Sequence, residues 1–139
     1  MAAVFALIEN ERKILLVQRS SRSTRPGQWC LPGGGVKRDE TLEQACVREV
    51  KEETGLNVNV ISLLATIKDN SYFTMHLLTN DKLVGIPNNE IQNGKWCKPK
   101  EILDVGEIMD LGRMIPLLRL ARLSYPDTPE GLKLAEFND

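Results

Sequence analysis

The sequence has few of the residues that build disulfide scaffolds and zinc sites. Its three cysteines, Cys30, Cys46 and Cys97, are widely spaced and form no Cys-x-x-Cys pair. The one histidine, His76, lies in a predicted strand, where a structural role is favoured over a catalytic one. This pattern argues against a disulfide framework or a zinc site, and it favours a reducing, cytoplasmic environment.

Long apolar runs and an excess of positive charge are also missing. No run approaches the length that a bilayer span requires, so no membrane association is predicted. The apolar residues 1–8 lack a basic start and a small-residue cleavage site, which favours a strand over a signal peptide. The formal net charge of -1 speaks against a long nucleic-acid surface and favours a small ligand.

The remaining composition is that of a soluble globular protein. The 139 residues are 42% hydrophobic and 27% charged, with no internal repeat and no linker. We therefore predict a single domain over residues 1–139. From about residue 124 the chain is polar with two prolines, which predicts a tail that is partly disordered or docked.

Strand and helix patterns alternate along the chain. Residues 3–8 and 13–19 predict a hairpin with a polar turn over 9–12, and residues 20–28 predict a loop. Further strands are predicted over residues 29–32, 56–67, 71–79 and 90–97. The order of strands, helix, strands and helix predicts an α/β sandwich with a mixed sheet.

Three segments have helical patterns. Thr41 is a predicted N-cap, Gly55 a predicted C-cap, and an apolar stripe runs between them. A short helix is predicted over residues 99–103. Residues 109–123 are apolar at helical spacing, and Pro116 predicts that this helix begins near the proline instead of passing through it.

The first of these helices carries a concentration of negative charge. Glu49, Glu52 and Glu53 are spaced i, i+3 and i+4, so they share one face. Their mutual repulsion would be removed by a divalent cation, and oxygen ligands suit Mg²⁺ or Mn²⁺ better than Zn²⁺. Magnesium also accepts substrate phosphates as ligands, so a carboxylate cluster pairs naturally with a diphosphate.

Neighbouring residues strengthen this interpretation against a merely solvated helix face. Arg48 is placed to orient a carboxylate or to hold the preceding loop. The glycines at 33–35 permit close approach of a ligand. A solvated face remains the interpretation for Glu43 and Lys51.

These residues also match a known pattern. The order is Gly34, five residues, Glu40, seven residues, Arg48-Glu49-Val50, one residue, Glu52-Glu53, one residue, Gly55-Leu56. Every specified position of the Nudix hydrolase pattern is present, so the chain resembles that family. The resemblance implies a Nudix-type α/β/α sandwich with a mixed sheet, and a hydrolase that cleaves a diphosphate linkage with Mg²⁺, or with Mn²⁺ as a substitute.

The resemblance also implies roles for individual residues. The implied metal-binding residues are Glu49, Glu52, Glu53 and Gly34, and the implied structural residues are Glu40, Arg48 and Gly55. Glu90, six residues before Trp96, resembles a further carboxylate near the metal in MutT-like members, with Gln92 and Glu101 as alternatives. The expected catalytic residues are Glu53, Glu52 and Glu90, and the general base is Glu53 or Glu90.

Substrate-binding residues are marked less clearly. Arg19 resembles a phosphate-contacting arginine of MutT-like enzymes, and Arg25 lies in the loop that follows. Arg22 is interpreted as ordinary surface charge, and Trp29 as packing. Tyr72 falls where diadenosine polyphosphate hydrolases have a tyrosine, with strand packing as the alternative.

Several functions remain open on the sequence alone. The first is pyrophosphatase action on a nucleoside di- or triphosphate or a related small nucleotide derivative. Alternatives are a diadenosine polyphosphate hydrolase, a pyrophosphohydrolase of RNA 5′ ends, and a nucleotide-sensing module that does not cut. A homodimer is also possible.

Overall fold

The computed structural model describes residues 2–79 and 82–124. Within these residues the strands are β1 (Ala3–Asn10), β2 (Lys13–Arg19), β3 (Trp29–Cys30), β4 (Gly33–Gly35), β5 (Val58–Ile67), β6 (Asn70–Leu77) and β7 (Ile91–Cys97). The helices are α1 (Leu42–Thr54), a 3-10 helix (Pro99–Asp104) and α2 (Leu111–Leu120). The tail predicted from about residue 124 falls almost entirely outside the described residues.

Strand β1 is the centre of the sheet. It pairs in parallel with β6 along its length, and antiparallel with β4 at its start and with β2 at its end. Strand β5 extends the β6 side, while β2 also pairs with β3 and β7. The mixed sheet expected from the sequence is confirmed. The β1–β2 turn is shorter than predicted, because Glu11 and Arg12 both adopt the positive φ angles of a two-residue hairpin turn.

Side chains alternate across the sheet and build a core on each face. On one face, Val4, Ala6 and Ile8 of β1 pack with Ala45, Cys46 and Val50 of α1. On the other face, Leu7, Ile14 and Leu16 pack with Met114, Leu117 and Leu118 of α2. Trp29 is buried in this second cluster. The α/β/α sandwich is thus confirmed, and within the described residues no helix is long and apolar enough to cross a membrane.

Local signals fix both ends of α1. At its start, the Gln44 amide donates to Thr41 Oγ1 (3.1 Å) and the Thr41 amide donates to Gln44 Oε1 (2.9 Å). At its end, Gly55 has φ 78° and its N–H donates to the Lys51 carbonyl at 2.9 Å. This capping box and left-handed cap confirm the predicted boundaries.

The prediction for the second long helix was wrong at its start. Helix α2 begins at Leu111, and Pro116 lies inside it. Proline removes the hydrogen bond to the Gly112 carbonyl and crowds the preceding turn. The helix persists because its apolar face is buried against the sheet through Met114, Ile115, Leu117 and Leu118, of which Ile115 and Leu118 are fully buried.

Candidate metal centre and active site

Three carboxylates converge beside the glycine strand β4. Glu49 and Glu53 lie one turn apart on α1, and Glu90 lies immediately before β7. One carboxylate oxygen from each falls within 4.8 Å of the other two. The sequence-predicted Glu90 is therefore placed with the helix carboxylates. Glu101, which the sequence offers as an alternative to Glu90, lies in the 3-10 helix and lines a separate cavity with Lys13.

Glu53 is the most deeply buried of the three, with 5% of its surface exposed. The Gly33 amide donates to its Oε1 at 2.9 Å. Burial is the main cause that raises the pKa of Glu53 to about 8, and the negative charges of Glu49 and Glu90 add to it. The Gly33 hydrogen bond and the charge of Arg19 oppose the shift. A cation at this position would favour the ionised form.

Glu49 lies directly against the backbone of Gly34. A Cβ atom at position 34 would lie 2.5 Å from the Glu49 carboxyl carbon, so any larger residue would displace this carboxylate. Burial raises the pKa of Glu49 despite its contact with Arg48. The Glu49 carboxylate can therefore occupy this place only because residue 34 is a glycine.

Arg48 connects the carboxylates to the loop before α1. Its Nε and Nη2 donate to the two oxygens of Glu40 at 2.7 and 2.9 Å, and Nη2 also donates to the Gly35 carbonyl at 3.0 Å. Its Nη1 donates to Glu49 Oε1 at 2.9 Å. Hydrogen bonds from Arg48 and from the Lys37 amide lower the pKa of Glu40 to about 2. Arg48 therefore has both roles considered from the sequence: it orients a carboxylate and it holds the loop.

Glu52 differs from its neighbours on the helix. Its side chain is 53% exposed and accepts from Arg48 Nη1 at 3.2 Å. It is not among the three clustered carboxylates. Its roles as metal ligand and catalyst therefore stay predictions.

A cavity of about 350 Å³ opens in front of Glu53 and Glu90. Its other lining residues are Arg19, Arg22, Ser23, Thr24, Gly33, Gly34 and Asn89. Arg19 is held towards the loop after β2, since its Nη2 donates to Thr24 Oγ1 at 2.8 Å and its Nε donates to the Thr24 carbonyl. Cationic and anionic side chains thus line the same cavity, a combination that suits a diphosphate and a metal ion together.

A smaller cavity of about 40 Å³ lies on the α2 side of the sheet. Its wall includes the stacked rings of Phe5 and Tyr72, whose centroids are 5.3 Å apart, and also Asp110 and Arg113. Arg25 Nη1 contacts Asp110 Oδ1 at 2.9 Å. Of the two residues predicted to bind substrate, Tyr72 therefore lines this second cavity and Arg25 contacts a residue that lines it, whereas neither lines the cavity of the carboxylates.

Sequence reasoning missed several residues around these cavities. The sequence predicts surface charge at Arg22, which is exposed and also lines the larger cavity, and it does not indicate that Asp110 and Arg113 line the smaller one. The polar loop over residues 20–28 was the only available signal for Arg22. No local pattern distinguishes Asp110 or Arg113 from other surface residues.

The clustered carboxylates fit a small divalent cation. Octahedral Mg²⁺ places its oxygen ligands at about 2.0–2.1 Å, so opposite ligands are about 4.2 Å apart. The three oxygens lie within 4.8 Å of one another, so small side-chain rotations would bring all three into the coordination sphere of one ion. The donor set contains only oxygen, which suits Mg²⁺ or Mn²⁺ and disfavours Zn²⁺.

Comparisons with known proteins agree with this geometry. A family model described as the NUDIX domain matches residues 1–118. An ADP-ribose pyrophosphatase of Methanocaldococcus jannaschii is 36% identical over 110 residues, which are 78% of this chain and 64% of that protein. A CTP pyrophosphohydrolase of Escherichia coli K12 is 38% identical over 104 residues, 72% of this chain and 77% of that protein.

Solved structures support the same grouping. The crystal structure of an ADP-ribose pyrophosphatase from Streptococcus suis superposes with a TM-score of 0.68 at 27% identity, and covers 91% of this chain and 96% of that one. Curated relatives differ in length: the chain spans 64% of the archaeal protein and only 26% of another relative.

Proposed function

The chain belongs to the Nudix family, and we propose that it is a magnesium-dependent hydrolase that cleaves a diphosphate linkage in a small nucleotide derivative. One observation carries the proposal: of the clustered carboxylates Glu49, Glu53 and Glu90, the last two line a cavity that is also lined by Arg19 and Arg22. This arrangement supports a single site in which carboxylates would bind a cation and arginines would bind phosphate.

The residues of the site would have different roles in the reaction. Glu49, Glu53 and Glu90 would hold Mg²⁺, or Mn²⁺ in its place, and Glu52 would join them by leaving Arg48. The bound ion would neutralise phosphate charge and lower the pKa of a water molecule. Arg19 and Arg22 would bind phosphate oxygens. Glu53 or Glu90 would accept the proton of the attacking water.

The smaller cavity is the proposed site for the group beyond the phosphates. Tyr72 offers an aromatic face, while Asp110 and Arg113 offer hydrogen-bonding groups of opposite charge. The volume of about 40 Å³ is near that of a water molecule, so a larger group requires the cavity to open. The Arg25–Asp110 ion pair is half exposed, and such pairs are readily exchanged for substrate contacts.

The names of the relatives support a nucleotide substrate without choosing one. Two of them are named for activity towards ADP-ribose and CTP. A cytoplasmic location and a homodimer stay predictions from the sequence.

A hydrolysis panel tests the proposal. The substrates are nucleoside di- and triphosphates, ADP-ribose, nucleotide sugars, dinucleoside polyphosphates and RNA with a 5′-triphosphate. Products are separated by anion-exchange chromatography, with Mg²⁺, with Mn²⁺ and with EDTA. The expected result is metal-dependent turnover of at least one small nucleotide, lost in Glu53→Gln and kept in Glu43→Gln, which alters an exposed glutamate of the same helix.

Other results of the panel would replace the proposal. Binding without turnover across the panel, in the presence of either metal, would favour a nucleotide sensor. Turnover of the RNA alone would favour 5′-end processing. Turnover that persists in EDTA would contradict the metal requirement.

A further inference from the structure

The carboxylate cluster joins two separate parts of the chain. Glu49 and Glu53 stand on the rigid helix α1, whereas Glu90 stands on the turn that leads into β7. The distance between their oxygens therefore depends on what fixes that turn against the helix. The turn must be held firmly if Glu90 is to act together with the helix carboxylates.

The side chain of Asn88 makes this connection. Its Nδ2 donates to the Glu53 carbonyl at 3.2 Å and to the Gly85 carbonyl at 3.1 Å. Its Oδ1 accepts from the amides of Glu90 at 3.0 Å and Ile91 at 2.9 Å. One amide group thus contacts the backbone of a carboxylate residue on each side of the cluster.

The chemistry of an amide suits this position. The last carbonyls of a helix have no partner within the helix, and the Nδ2 of Asn88 satisfies that of Glu53. Asparagine also closes turns by accepting from amides further along the chain. An amide donates and accepts simultaneously, whereas a carboxylate would only accept.

The same turn is also attached to Ser20, directly after β2. The Ser20 amide donates to the Glu90 carbonyl at 2.8 Å, and Ser20 Oγ donates to the Asn89 carbonyl at 2.6 Å. Ser20 follows β2, so these bonds fix the turn relative to the sheet. The Asn88 side chain fixes it relative to α1, the element that carries the other carboxylates.

We propose that Asn88 is a positioning residue of the metal centre. It keeps the Glu90 carboxylate close enough to those of Glu49 and Glu53 for the three to bind one cation. The inference rests on the proposed function, since it assumes that the three carboxylates bind a divalent cation. Asn88 touches neither substrate nor metal in this role. It acts through the backbone of Glu90.

The test measures Mn²⁺ binding directly, by electron paramagnetic resonance of the free ion. Loss of a hydrogen-bonding partner behind a metal ligand typically weakens affinity about 10- to 100-fold. We expect Asn88→Ala to weaken Mn²⁺ binding at least about tenfold. Asn59→Ala, which alters an exposed asparagine on β5, should bind as the wild type does.

Asn88→Ser provides a conservative variant. A hydroxyl can still accept from the amides of the turn, although it is too short to reach the Glu53 carbonyl. Its Mn²⁺ affinity should fall between those of the wild type and Asn88→Ala. If Asn88→Ala fails to fold, Asn88→Ser alone should still bind Mn²⁺ more weakly than the wild type.

A double-mutant cycle separates positioning from general structural damage. If Asn88 acts through Glu90, Asn88→Ala should have little further effect on Mn²⁺ affinity once Glu90 is replaced by Gln. An equal effect of Asn88→Ala in both backgrounds would overturn the inference. So would a wild-type Mn²⁺ affinity in Asn88→Ala and Asn88→Ser.

The inference and the proposed function fail in different ways. If the wild type binds Mn²⁺ through Glu90 but hydrolyses nothing in the panel, the proposed function fails and the binding data still support the role of Asn88. If the wild type hydrolyses a nucleotide and the Asn88 variants bind Mn²⁺ normally, only the inference fails.

Discussion

The guanidinium group of Arg48 contacts both carboxylate oxygens of Glu40, with Nε 2.7 Å from Oε2 and Nη2 2.9 Å from Oε1. The two residues are eight positions apart, so their contact joins the loop that follows β4 to α1. The same arginine donates to Glu49 through Nη1. The loop, the helix and one metal-binding carboxylate are therefore fixed relative to each other by a single side chain.

Arg48→Lys should weaken metal binding while the protein still folds. A lysine ammonium keeps the charge but cannot bond simultaneously to Glu40, Glu49 and the Gly35 carbonyl. We expect Mn²⁺ affinity to fall about tenfold, as for other residues that orient a metal ligand. Lys51→Arg, an exposed position on the same helix, is the control, and equal affinities in the two variants would contradict the role of Arg48.

Gly34→Ala and Gly35→Ala form a matched pair on adjacent residues. An added Cβ at Gly34 would overlap the Glu49 carboxylate, whereas one at Gly35 meets nothing within 4 Å. We expect Gly34→Ala to lose metal binding and turnover, and Gly35→Ala to keep both to within about threefold. Isothermal titration with Mn²⁺ distinguishes them, and normal binding by Gly34→Ala would show that Glu49 is free to move.

The metal-free protein should become less stable as the pH rises from about 5 to about 8. The pKa of Glu53 is raised from 4.5 to about 8, so the folded state keeps a proton that the unfolded state has released in this window. Glu49 is shifted in the same direction, whereas the lowered pKa of Glu40 acts below 4.5. The melting temperature in EDTA checks this: it should fall with pH in the wild type and in Glu43→Gln, and fall less in Glu53→Gln.

The opposite pH dependence is expected for metal binding. A cation competes with the proton on Glu53, so Mn²⁺ affinity should rise as the pH approaches about 8. A melting temperature in EDTA that rises between about pH 5 and about pH 8 would contradict the raised pKa of Glu53.

Glu52→Gln tests the carboxylate that lies outside the cluster. Its side chain is 53% exposed, so the substitution should leave the melting temperature unchanged. If Glu52 leaves Arg48 to join the metal when substrate binds, turnover with Mg²⁺ should fall by at least about tenfold. Turnover close to that of the wild type would remove Glu52 from the metal site, and Glu43→Gln serves as control.

Arg22→Ala and Arg25→Ala should have different substrate profiles. Arg22 lines the cavity of the carboxylates, so its loss should raise KM about tenfold for every substrate that is cleaved. Arg25 pairs with Asp110 beside the smaller cavity, so its loss should change KM for some substrates and not for others. The ratio of KM values across the panel checks this, and identical profiles would argue against two separate subsites.

The helix that carries the glutamates was predictable because its signals are local. The Thr41 cap, the apolar stripe and Gly55 all lie within the helix or next to it, and the spacing of Glu49 and Glu53 alone places them on one face. Glu90 was identified only through the resemblance, from its distance to Trp96. The prediction at Pro116 was wrong because burial against the sheet outweighs the free-energy cost of a proline inside the helix. The sequence of the helix alone does not show that burial.

The positions that were missed depend on contacts between distant segments. Asn88 is one of several turn-forming residues in its loop, and its partner Glu53 lies 35 positions earlier in the chain. Arg22 lines the cavity of the carboxylates in a loop whose Ser20 and Thr24 bond to Asn89 and Arg19, respectively. No periodicity or local motif records such contacts.

The position of the glutamates along α1 has an electrostatic consequence. The helix ends at Thr54, so Glu49 and Glu53 occupy its last two turns. The backbone carbonyls there point towards the C-terminus and give that end a partial negative charge. The peptide dipoles therefore attract the same ion as the side chains do. The same field attracts Na⁺ and K⁺, so the divalent ion must be selected by its higher charge and by the spacing of the oxygens. It follows that monovalent cations should compete weakly for the site at high salt concentration.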